Sequence, residues 1–251
     1  MGFKSLKSVL ENLESLKGVD STGEAYLSSP NIADTIYEDY GRLLDVLNED
    51  KIIKLNDHFV KVDLQKERVY TINSKVENAY SILRDNVSND SLKSYPTYED
   101  VGLILFGMRI FCQDPVAERE AVRVKDNNCS SNYRTKKKVV YQKAGIYFSL
   151  LAKAKNEQKH WYSLGIWHNW SGSTTPLLYM NMYFKQRCGT EWGWWQGDAQ
   201  NWYHSNVAYS GNAIAATFRP YQSTRALTKY FFSASIHGNC GIDYLFIEDN
   251  M

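Results

Sequence analysis

Two carboxylates, Glu191 and Asp198, flank the stretch QRCGTEWGWWQGDAQNWYHS at residues 186–205. A pair of acids beside aromatic platforms is the equipment of a glycoside hydrolase, one acting as acid and the other as base or nucleophile. Most domains carry such pairs as ordinary loop acids, so no residue is assigned a catalytic role. The five histidines, His58, His160, His168, His204 and His237, fall in no HExxH or other ligand spacing. His160 and His168 could share one face of a strand, but about 27 Å of strand would separate them, too far for one metal ion. No GxSxG, GxGxxG or Walker pattern is present, which leaves nucleophile elbows and phosphate cradles without support. Neither a cofactor nor a metal is implied.

The tryptophans are the stronger signal. All seven lie at or after Trp161, and Trp192, Trp194, Trp195 and Trp202 crowd into residues 186–205 with Tyr203. Flat apolar faces with a polar edge stack on sugars or fill a partner's pocket at low entropic cost. These five residues are the candidate ligand contacts. Large aromatics also pack between sheets, so part of the cluster is expected inside.

Four cysteines, Cys112, Cys129, Cys188 and Cys240, are scattered without metal spacing, and free buried thiols are expected. A net charge of +1 and a pI near 7.6 give no case for nucleic acid as a partner. The basic run Arg134, Lys136, Lys137 and Lys138 reads as a solvated loop. The N-terminal residues alternate apolar with charged and do not form a secretory leader. The longest apolar run, 101–111, is too short to span a bilayer and contains Arg109. A species made soluble in the cytoplasm, with no transmembrane segment, is expected.

Those side chains must be positioned by two unlike halves. Leu6, Val9, Leu10, Leu13 and Leu16 give an amphipathic helix over 4–17, and Ser29-Pro30 caps a second helix carrying Ile32, Ile36, Tyr40, Leu43, Leu44 and Leu47. Leu55, Val62, Val69, Val76 and Leu83 then recur every seven residues through a segment free of Gly and Pro. That pattern fits the core seam of an oligomeric coiled coil over 51–89. Residues 59–64 and 68–72 also alternate as a hairpin would, and a hairpin would remove the stalk. Thr97 to Asp100 matches a capping box ahead of a short helix or core strand at 101–111, and 118–138 reads as loop with one strand at 121–124.

From Val139 onward the apolar period becomes two, with turn residues at 156–159, 171–176, 188–190, 210–212 and 238–241. Six or more alternating strands without helices between them make an antiparallel β-sandwich of jelly-roll type. The fold class expected is α+β: docking helices at 1–50, a candidate coiled-coil stalk at 51–90 and a β-sandwich head at 91–251.

In this order of parts the chain resembles short bacteriophage fibre or receptor-binding proteins. Val62, Val69 and Val76 carry the stalk comparison, and Trp192 to Trp202 the comparison with a ligand-binding head. The resemblance implies a homotrimer in the virion, anchored to another virion protein through its N-terminal helices, whose head binds a host-surface glycan or protein without enzymatic activity. Two other classes compete. One is a membrane-active, toxin-like protein with aromatic loops at the headgroups. The other is a glycan-processing enzyme using Glu191 and Asp198.

Overall fold

The computed structural model describes residues 5, 40, 43–107, 114–118, 121–159, 167–169, 177–189, 191–198 and 215–249. The helix expected at 4–17 and most of the second helix lie outside these residues. The chain is mostly β, with antiparallel sheets and a few short helices, and divides into two compact units. One unit holds Met1–Phe111 and Ala144–Tyr147, and the other Cys112–Lys143 and Phe148–Met251.

In the first unit, β1 (Ile52–Leu55), β2 (His58–Asp63), β3 (Arg68–Asn73) and β4 (Lys93–Pro96) form one antiparallel meander. The continuous helix expected over 51–89 is therefore overturned. Asn56 takes a left-handed backbone (φ 51°) between β1 and β2, and Glu67 does so (φ 52°) between β2 and β3. Asn adopts that region easily, which makes it a turn former. Val62 and Val69, two members of the seven-residue series, are cross-strand partners in the second hairpin, and both are fully buried.

The series divides between opposite faces of this sheet. Val62 and Val69, with Leu55 at the margin, pack with Leu43, Leu44 and Leu47, of which Leu43 and Leu44 lie on α1 (Leu43–Val46). Val76 and Leu83 pack on the other side with Ile52, Ile72 and Ala79 around α2 (Ala79–Asp85). The candidate oligomerisation residues thus fill one chain's own core. Burial of each such side chain contributes about 1.5–3 kcal/mol. Lys61 Nζ closes the end of α2, donating to Leu83 O at 2.9 Å, Arg84 O at 3.0 Å and Asn86 Oδ1 at 2.9 Å. A cation there satisfies carbonyls that the last turn leaves bare.

The run after Thr97 is helical only as α3 (Val101–Leu105), and its cap is Asp100, whose Oδ1 accepts from Leu103 N at 3.3 Å. Residues 144–147 close this unit. Val101 N donates to Gly145 O, and Gly145 N donates to Thr97 O. Gly145 sits at φ +72°, and a Cβ there would lie 2.5 Å from Val69 Cγ2.

The second unit holds two antiparallel sheets. One runs in the order β10 (Glu191–Asp198), β9 (Leu177–Gln186), β12 (Leu227–Gly238), β13 (Gly241–Asp249). The other runs β11 (Ala215–Ser223), β7 (Phe148–Lys159), β6 (Tyr133–Lys143), β5 (Ala121–Ser130), with β8 (Trp167–Asn169) also on β7. Inward residues of both build one core: Val139, Tyr141, Phe148, Leu150 and Phe218 from one sheet, Met180, Met182, Phe184, Tyr230, Phe232 and Leu245 from the other. Tyr141 ties it together, stacking on Phe148 and meeting Tyr230 at a tilt while its hydroxyl accepts from Leu227 N at 2.7 Å.

Residues 118–138, expected as loop, are mostly β5 and β6, and the turn expected at 156–159 lies inside β7. Polar side chains misled because they are partnered: Thr135 Oγ1 donates to Asn156 Oδ1 at 2.9 Å, both residues being fully buried. The cysteines depart from expectation too. Cys129 and Cys240 form a disulfide across 111 residues, with Cα atoms 4.6 Å apart, and Cys188 is also disulfide-bonded.

Candidate functional site

Trp192, Trp194 and Trp195 lie on β10, at one end of its sheet. Trp192 is in register with Phe184 and Trp195 with Met182, and a bulge separates the two pairs. Phe184 and Met182 are core residues. The side chains of β10, and Trp202 and Tyr203 altogether, lie outside the described residues. Of the residues proposed for ligand contact, the structure thus brings three onto one strand.

Glu191 and Asp198 stand at opposite ends of β10, in register with Lys185 and Tyr179. Six ladder steps of strand separate their partners by roughly 20 Å. A hydrolytic pair needs its carboxyl groups about 5–9.5 Å apart. This geometry gives the two acids no joint role. Among the described residues, no group of His, Cys, Asp or Glu could hold a metal ion. No helix among them is long and apolar enough to cross a membrane.

The surface at the other end of this sheet was not legible in the sequence. On β13 the apolar alternation points outward: Ile242, Tyr244 and Phe246 are 63%, 60% and 44% exposed, while Asp243, Leu245 and Ile247 face in. Phe231, half-buried on β12, stacks with Phe246 at 6.3–6.4 Å spacing shared with Tyr244, the Phe231–Phe246 centroids being 6.4 Å apart and the Tyr244–Phe246 centroids 6.3 Å. Across the ladder Ile242 faces His237, Tyr244 faces Ser235 and Phe246 faces Ser233. Farther along, Lys229 Nζ lies 5.0 Å from the ring of Tyr183. The face combines aromatic rings with hydroxyl, imidazole and ammonium groups. A period-two pattern announces a strand but not which face meets the core, so no local signal could have assigned it.

Beneath this surface the inward Asp243 holds a charge cluster. Its carboxylate lies 2.5 Å from Lys125 Nζ and 2.6 Å from Lys137 Nζ, and also accepts from Asn127 Nδ2. Lys137 is fully buried and donates to Gly241 O at 2.7 Å as well. Burial pushes the Asp243 carboxyl up, but hydrogen bonds from Lys125 and Lys137 outweigh it and hold the group below the usual carboxylate range. The arrangement fixes the β12–β13 hairpin against β5 and β6, on the opposite side of β13 from the exposed aromatics. It positions the surface.

Comparison of the chain with protein-family models, with curated proteins and with solved structures finds no match.

Proposed function

We propose that the chain is a non-enzymatic attachment protein of the virion-fibre kind, whose second unit is a jelly-roll-like sandwich head that binds a surface glycan on the sheet β10-β9-β12-β13. The observation that carries this reading is the outward row Ile242, Tyr244 and Phe246 with Phe231 beside it. Exposed aromatics cost solubility and are kept where something docks. Rings interspersed with Ser235 and His237 suit a sugar, which presents apolar C–H faces and hydroxyls together. The tryptophan strand at the other end of the same sheet supplies further candidate contacts, Trp192, Trp194 and Trp195, with Trp202 and Tyr203 following in sequence. Disulfides support a working place outside a reducing cytoplasm, virion and cell surfaces among them. Homo-oligomeric presentation, as a trimer, goes with the fibre reading, without a continuous helix over 51–89.

A glycan array followed by calorimetry on the best binder tests the proposal. The double variant Tyr244→Ala/Phe246→Ala is expected to unfold like the parent and to bind at least tenfold more weakly. Equal binding by parent and variant would overturn the aromatic-face site. Release of dye from liposomes by the parent would replace the reading with a membrane-active one.

A further inference from the structure

The outward aromatics of the sheet β10-β9-β12-β13 form a band, and its geometry narrows the ligand. Along β13, Tyr244 and Phe246 stand two residues apart on one face, with ring centroids 6.3 Å apart and planes turned by 33°. From Phe246 the band crosses to Phe231 on β12, with centroids 6.4 Å apart and planes turned by 19°. Three neighbouring rings thus share nearly one orientation at nearly one spacing. Ile242 extends the band at the Tyr244 end. Beside that end, opposite Tyr244 and Ile242, stand Ser235 and His237, with Ser235 Oγ and His237 Nε2 3.4 Å apart. At the other end an exposed Glu248 lies opposite Phe231, and Lys229 comes two residues before Phe231 on the same face. One charge of each sign therefore flanks the rings.

The band is small. At the exposures of Ile242, Tyr244, Phe246 and Phe231, the apolar area on offer is roughly 400 Å². A stable contact with a second copy of the chain takes about 800 Å² from each side, twice what the band provides. A single sugar is poorly served as well, because the outer face of a sheet covers it on one side only, whereas sites for single small molecules enclose most of the ligand. A chain of sugars laid along the rings escapes that limit, since each unit after the first binds at the high local concentration its linkage sets. The spacing of the rings is close to the repeat of one pyranose unit in an extended chain.

We infer that the band takes an internal stretch of a linear, uncharged polysaccharide of β-1,4-linked equatorial sugars, with one unit on each of Tyr244, Phe246 and Phe231. Such a backbone is a flat ribbon in which every unit shows an apolar C–H face to a ring, and its edges carry hydroxyls where Ser235 and His237 stand. An α-1,4-linked backbone coils and would leave the rings after a unit or two. The opposite charges of Glu248 and Lys229 give a polyanion no advantage. The inference rests on the glycan-binding reading above and adds the linkage, the charge and the length of the ligand.

Calorimetry of the intact chain with cello- and chito-oligosaccharides of one to six units, and maltohexaose as the coiled control, tests it. Affinity for at least one β-1,4 series is expected to rise at least tenfold from one unit to three, and to exceed that for maltohexaose at least tenfold. Tyr244→Ala shortens the band and should bring the trisaccharide down to the affinity the parent shows for the disaccharide, with the melting temperature unchanged. Equal affinity for one unit and six, maltohexaose bound as tightly as the β-1,4 hexamers, a trisaccharide bound by Tyr244→Ala as by the parent, or no binding of either series would each overturn the inference. So would a parent oligomer that dissociates in Tyr244→Ala/Phe246→Ala, which would assign the band to a second copy of the chain. A glycan array positive for other sugars through Tyr244 and Phe246, with neither β-1,4 series bound, leaves the attachment reading standing and removes this inference alone. An array with no binder removes both.

Discussion

Asp243 gathers three partners, Lys125, Lys137 and Asn127. Removing its charge leaves the buried Lys137 ammonium with Gly241 O but no counter-charge, and breaking a buried pair from one side costs about 3–5 kcal/mol. Asp243→Asn is therefore expected to lower the midpoint of chemical denaturation by that order. Replacing both partners, Lys137→Met with Asp243→Leu, should recover most of the loss, since well-packed apolar groups substitute for a buried pair at little cost. The pH dependence follows from the depressed carboxyl. Its stabilisation is present above the ordinary Asp value near 4 and is lost as pH falls through the lower folded value. Melting temperature measured from pH 5 down to 2 should drop more steeply for the parent than for Asp243→Asn. Gly145 is a second sensitive position, because a side chain there meets Val69 and the backbone lies at φ +72°. Gly145→Ala should destabilise by about 1–3 kcal/mol, seen as an earlier thermal transition.

The hairpin of β2 and β3 decides between two accounts of residues 51–89. A coiled-coil seam would be held by other chains, so its loss would make unfolding depend on protein concentration. Leu83 instead packs within the first unit. Leu83→Ala is expected to cost about 2–5 kcal/mol, with a melting temperature independent of concentration over a hundredfold range. A concentration-dependent transition would reinstate an intermolecular seam. The disulfide Cys129–Cys240 acts at the same scale, joining the β5–β6 turn to the β12–β13 turn. Closing a loop of 111 residues limits the unfolded chain strongly, and its removal typically costs about 2–5 kcal/mol. Cys129→Ser/Cys240→Ser should show that loss in denaturant, and reducing agent should not destabilise the variant further through this bond.

At the scale of the whole chain, the proposed attachment rests on the outer face of the sheet β10-β9-β12-β13, which is aromatic at Ile242, Tyr244 and Phe246. Light scattering of the parent reports whether heads are presented singly or in threes; a monomer would remove the fibre reading and leave the glycan site to be judged by its own test.

The amino-acid order by itself determined that the second half is antiparallel β, because a period of two needs no knowledge of neighbours. Leu178 to Phe184 and Phe232 to Ile236 sit on strands with that alternation. It also placed a capping signal at Thr97 to Asp100, of which Asp100, not Thr97, is the residue that caps the helix. Tertiary structure decided the rest. Val62 and Val69 are seven apart on any reading, and only the turn between them makes them partners across a ladder. Ile242, Tyr244 and Phe246 look like a core stripe until Asp243, one position along, finds Lys125 and Lys137 more than 100 residues away. Lys137 reads as a loop lysine until that carboxylate accounts for its burial, and its inward turn is what sends Lys136 and Lys138 to the outside. Local pattern fixes how side chains alternate; which side of the alternation is buried depends on partners distant in sequence.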